Sequence, residues 1–162
     1  MGASSWSYLT KYQPDLDAAL AKLQQQEFRA GRYYRPKKAK KPKSIAELRK
    51  QNAEEGTHSI LDITRVGPRP NRPGEIFLEM PPPDPEGHRR WLEDWNNRFG
   101  TARELHPDDL VEFFGTLTPS RAQVDERLDE LIDWRSRWQA TIVVVHDAGK
   151  PTEILFAGVS GD

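Results

Sequence analysis

The 162 residues suit one domain, and 36% hydrophobic residues beside 30% charged residues and 13 prolines predict a modest core with a sizeable irregular fraction. The absence of cysteine excludes disulfides, thiolate metal sites and a thiol nucleophile. The formal charge of −1 hides an asymmetry: residues 1–50 hold 12 Lys/Arg against 4 Asp/Glu, and residues 51–162 hold 12 against 21.

The apolar runs, such as Ile142–Val145, fall far short of the ~20 residues that cross a bilayer. The opening MGASSW has neither the basic start and apolar stretch of a leader nor the Ser or Thr at position 6 that myristoylation wants. A cytoplasmic protein without a membrane anchor is the expectation.

In chain order, PDLDAALAKLQQQEFRAG predicts a helix over about 14–29, with Leu16, Leu20 and Leu23 as one stripe and Gly31 as its stop. Residues 30–43 carry prolines and lysines without apolar period and read as a basic arm or loop. Ser44 followed by Glu47 forms a capping box for a helix over about 45–55, which Gly56 closes. HSILDITRV reads as a strand over 59–65, GPRPNRPG as a Pro-rich loop at 67–74, and EIFLEM as a short strand. PEGHRRWLEDWNNRFG predicts a helix over 85–98, and HPDDLVEFFG a short one from Pro107 to Gly115. From Thr118 as N-cap, one helix is expected to run to Trp138, with Val124, Leu128, Leu131, Ile132 and Trp138 on its apolar side. Strands over 140–146 and 152–158 flank the turn Asp147–Lys150. Both are nearly all apolar and belong centrally in a sheet, with Val143, Val144 and Val145 all buried. The expected fold is a single α+β domain spanning 1–162: four to five helices on a small, mostly antiparallel sheet with a C-terminal hairpin.

GTHSILD raises the question of chemistry, because it sets His58, Ser59 and Asp62 close together. On a strand, His58 and Ser59 diverge, and His58 and Asp62 share a face but lie roughly 13 Å apart. The segment therefore reads first as a helix-to-strand junction leading into the middle of the sheet. His58 and Asp62, joined in space by His146, remain weak catalytic candidates. The histidines at 58, 88, 106 and 146 have no metal-ligand spacing, and GKPT at 149–152 lacks the glycine-rich loop of a phosphate cradle, so neither metal nor cofactor is expected. Trp91/Trp95 and Trp134/Trp138 each sit at helical spacing and read as core or as a partner face. Trp91 and Trp95, edged by Arg89 and Arg90, are the candidate partner anchors. Arg35, Lys37, Lys38, Lys40, Lys41 and Lys43 are the candidate polyanion contacts, with Tyr33 and Tyr34 beside them to stack.

The segments WSYLTKYQPDLDAALAKLQQQEFRAGRYY, KSIAELRKQNAEEGTHSILDI, LVEFFGTLTPSRAQVDE and IVVVHDAGKPTEILFAGVSGD cover more than half the chain. Through them it resembles a family of small uncharacterised bacterial proteins of actinobacterial type, sharing GTHSILDI and FAGVSGD-like segments. The resemblance implies a small bacterial cytosolic protein with an accessory or immunity-like role, and carries no activity, cofactor or catalytic residue with it.

The leading expectation is a non-enzymatic interaction protein that docks a protein partner through the acidic, Trp-bearing region 86–138. A nucleic-acid accessory working through residues 29–43 is the alternative, and a small enzyme using His58, Asp62 and His146 a weaker one. A homo-oligomer stays open.

Overall fold

A computed structural model describes residues 4–71, 73–74 and 84–161, without the side chains of residues 94–97. The elements are β1 (Ser5–Lys11), α1 (Leu16–Ala30), α2 (Ile45–Gln51), a single 3-10 turn Ile60–Asp62, β2 (Arg65–Val66), α3 (Pro85–Arg98), β3 (Thr101–Glu104), α4 (Pro107–Phe114), α5 (Arg121–Glu126), α6 (Leu128–Asp133), β4 (Gln139–Asp147) and β5 (Lys150–Val159). The strands form one sheet in the order β1-β5-β4-β3-β2. The α+β class holds. The sheet is mixed: the long β1–β5 and β5–β4 pairs are antiparallel, and the short β4–β3 and β3–β2 pairs are parallel.

Ile142–Val145 of β4 and Ile154–Val159 of β5 are apolar because both faces of the sheet are covered there. Ala140, Ile142, Ile154 and Phe156 face a cluster with Trp6, Ala19, Leu20 and Leu23, under α1. Val143, Val145, Leu155 and Ala157 face a second cluster with Phe113, Phe114, Val124 and Leu131, under α4, α5 and α6. Val144 is half-buried rather than buried.

Local chemistry explains the helix ends. Asp15 caps α1 by accepting from Ala18 N–H at 3.0 Å, and Gly31, at φ 70°, closes it. Ser44 caps α2 through Glu47 N–H at 3.1 Å, but regular helix stops at Gln51, four residues before the expected end. The helix expected to run from Thr118 to Trp138 is two short helices instead, capped by Ser120 with a Ser120–Gln123 capping box. It cannot continue to Trp138, because the sheet claims that residue. Trp138 N–H donates to the Val159 carbonyl and its own carbonyl accepts from Gly100 N–H, both at 2.8 Å, with φ at 64°. Helix propensity yields to strand pairing here.

The strand expected over 59–65 is also corrected. Residues 60–62 form the 3-10 turn, and β2 is a two-residue strand at the sheet's edge, so the segment does not enter the middle. Its carbonyls find side chains instead of a ladder. Buried Gln24 donates to the carbonyls of Ile60 (3.1 Å) and Ile63 (2.6 Å), and Arg49 donates to those of Leu61 and Ile63, both at 2.5 Å. Residues 32–43 contain turns but no helix or strand, as does the described part of 67–74. The strand expected at EIFLEM, residues 75–80, lies outside the described residues.

Val143 lies fully inside the second cluster and Val144 does not. Val143→Asp buries an unpaired charge and should cost more than ~4 kcal/mol, with Val144→Asp clearly milder. Urea unfolding of both variants checks the order, and equal losses would contradict this assignment of faces.

Candidate functional site

The polar residues of GTHSILD are brought together by a turn, not spread along a strand. Gly56, at φ 79°, ends the turn after α2, and its N–H donates to the Asn52 carbonyl at 2.8 Å. The chain then folds back. Thr57 N–H donates to Asp62 Oδ1 at 2.7 Å, and the Thr57 and Ser59 hydroxyls bond each other at 2.9 Å. From the far end of β5, the Ser160 hydroxyl donates to Asp62 Oδ2 at 2.7 Å. Asp62 is only 4% exposed. Burial pushes its carboxyl above the ordinary value, and the Ser160 and Thr57 bonds with the nearby His58 only partly oppose this.

Gly56 and Gly161 hold this site closed. A Cβ on Gly56 would meet Asp62 Oδ2 at 2.9 Å, and one on Gly161 would lie 1.8 Å from Trp138 Cζ2. The Trp138 indole is thus clamped against the C-terminal segment, and it stacks on Phe99 with centroids 5.9 Å apart. Between these groups lies a cavity of about 220 Å³, lined by Arg49, Asn52, Asp62, Thr64, Phe99 and Trp138 among others.

His58 takes a positive φ of 54° and stacks on Tyr34, with centroids 4.4 Å apart and planes within 10°. Tyr34 N–H donates to the Thr57 carbonyl at 2.8 Å, so the basic arm is tied to this turn. His58 and Asp62 therefore belong to one locality, in place of the roughly 13 Å separation of a strand. His146 does not join them. It lies eight residues beyond Trp138 along β4, about 26 Å at a rise of roughly 3.3 Å per residue. There it lines a different cavity with Tyr12, Glu104 and Arg69. The Ser160 hydroxyl donates directly to Asp62, which is not the Ser–His–Asp order of a nucleophilic triad. Among the described residues, no His/Asp/Glu group is arranged to hold a metal ion, and no helix is long and apolar enough to cross a membrane.

The other sequence candidates are scattered. Arg35, Lys37, Lys38, Lys40, Lys41 and Lys43 are all exposed on the arm, while Pro42 is buried and anchors it. Trp91 is half-buried, Arg89 and Arg90 are exposed, and the side chain of Trp95 lies outside the described residues. Arg49, Asn52, Phe99 and Ser160 were not singled out from the sequence, and Trp138 was noted only as one of a helically spaced Trp pair. The one signal was that FAGVSGD and GTHSILDI stood out together, and Asp62 and Ser160 are where those segments meet.

No family model matches the chain, and no curated protein and no solved structure is significantly similar to it.

The raised Asp62 pKa has a consequence for stability. Between the ordinary carboxyl value near 3.8 and its raised folded value, the folded chain holds a proton that the unfolded chain has lost. Stability therefore falls as pH rises through that window. Asp62→Asn keeps the shape, with Oδ1 accepting from Thr57 and Nδ2 donating to Ser160. It should gain on the wild type as pH increases from about 4, and a pH series of urea midpoints checks the sign. Gly161→Ala should displace the indole and cost about 1–3 kcal/mol as an overpacked site, with a shift in tryptophan emission.

Proposed function

We propose that this chain is a non-enzymatic protein-interaction protein, accessory or immunity-like, that docks a protein partner through α3. The observation that carries this reading is that none of residues 85–93 is buried, although the helix bears Trp91 and Leu92. Leu92 is 43% exposed, and so is Phe99 just past the helix end. A helix in water draws most of its stability from packing an apolar face, and this stretch has no buried face of its own. Trp and Arg concentrate binding energy at interfaces. Among the described residues, Arg89 and Arg90 pair along the helix, with Glu93 and Glu86, and such exposed pairs hold their side chains weakly. They stay available to a partner's carboxylates.

Paired replacement of Trp91 and Leu92 by Ala should leave the melting temperature within a few degrees of wild type. A photo-crosslinking residue at Arg90 should give one dominant protein adduct in the source cells, reduced at least tenfold by that replacement. A large fall in melting temperature with an unchanged adduct would assign Trp91 and Leu92 to the fold and end this reading.

The nucleic-acid alternative rests on the arm. Its six cations are exposed and form no ion pair with an acid among the described residues. If they neutralise phosphates, changing Lys37, Lys38, Lys40 and Lys41 to Ser should lower the log–log salt slope of single-strand binding by about 0.7 for each phosphate no longer neutralised. Titration of single-stranded oligonucleotides across salt concentrations measures it, and an unchanged slope rejects the alternative.

A further inference from the structure

The cavity at Asp62 carries more polar capacity than the fold consumes. Asn52 is 3% exposed, and its amide donates to the Leu48 carbonyl at 2.9 Å, which fixes the orientation of the group. Its buried Oδ1 has no partner among the described residues. Asp62 accepts from two neutral donors, and a carboxylate offers about four lone-pair sites. Arg49 spends Nε and Nη2 on the Leu61 and Ile63 carbonyls, leaving Nη1 without a described partner. The cavity wall thus has an acceptor, a donor and an aromatic pair, Phe99 with Trp138, at one place.

Opposite charges on Asp62 and Arg49 disfavour a ligand that is only a cation or only an anion, since one of the two would repel it. They suit a neutral group with a donor beside an acceptor. A cavity of about 150 Å³ holds a benzene ring, so 220 Å³ takes a single small ring system. We propose that this cavity binds a planar, neutral, amide-edged heterocycle of nucleobase type. Its ring N–H is donated to Asp62, its adjacent carbonyl accepts from Arg49, and its ring packs against the Phe99–Trp138 pair. Binding would also bring a polar edge within reach of Asn52. Stacking on aromatic side chains is a common source of affinity for bases. This inference stands apart from docking on residues 85–93, which it neither needs nor supports.

The test uses the full chain with uridine and guanosine as probes, each against its ring-N-methylated counterpart, 3-methyluridine and 1-methylguanosine. Saturation-transfer NMR and Trp emission report binding. At least one parent nucleoside should bind at submillimolar to low-millimolar concentration, and its methylated form at least tenfold more weakly, because the methyl removes the donor to Asp62. Phe99→Ala should weaken binding at least fivefold with little change in melting temperature, since Phe99 is already 43% exposed. No binding of either parent up to 10 mM overturns the proposal. So does equal binding of parent and methylated forms, or binding that Phe99→Ala leaves unchanged.

Discussion

The Asp62 carboxylate accepts from Thr57 N–H and from the Ser160 hydroxyl, and so joins two parts of the chain 98 positions apart. A buried carboxylate is costly unless hydrogen-bonded, so the surroundings are organised to satisfy it. The tight turn from Gly56 to Asp62 brings Thr57 N–H back to the carboxylate. The end of β5 brings Ser160, and Gly161 then lies flat against the Trp138 indole. With Trp138 fixed at φ 64°, its backbone links Gly100, at the entry to β3, to Val159 at the end of β5. The cavity exists because these constraints leave space beside a carboxylate they have already ordered.

The same economy governs the core. A chain with 36% hydrophobic residues still covers both faces of its sheet by concentrating them in β4 and β5. The outer strands are shorter or more polar, and polar side chains complete the work. Gln24 and Arg49 hold the carbonyls of the 60–63 segment, which a longer strand would have paired through backbone alone. That substitution makes the segment a site: a 3-10 turn fixed by side chains can present a carboxylate inward, whereas a ladder would have alternated it with its neighbours.

Features specified locally were legible in the sequence. Ser44 caps a helix, Gly31 and Gly115 end helices at positive φ, and the 147–150 turn joins two strands with apolar inner halves. What failed depends on distant partners. SWSYLTK becomes β1 by pairing with β5, and its alternation of Trp6, Tyr8 and Thr10 was a signal left unread. TARE becomes β3 only because β2 and β4 lie on either side of it. The helix drawn to Trp138 stops because β5 and Gly100 take that residue's backbone. At the site, His58 and Asp62 were recognisable by residue type. Ser160 and Arg49 were not, and Trp138 stood out only as half of a Trp pair, since no local pattern marks a serine that will bond an aspartate 98 residues away.

The charge asymmetry also gains a structural meaning. Among the described residues the basic arm forms no ion pair with the acidic remainder of the domain: its six cations stay exposed while Tyr34 and Pro42 anchor it. Tyr34 ties the arm to Thr57, which in turn bonds Asp62. α2, the next element after the arm, supplies Arg49 and Asn52, and Phe99 at the end of α3 stacks on Trp138. The arm and α3 are thus both fastened to the same small polar centre. A group lodged beside Asp62 would touch the end of α3 directly and the root of the arm through Thr57. Occupancy of that centre by a small molecule would therefore bear on both exposed surfaces.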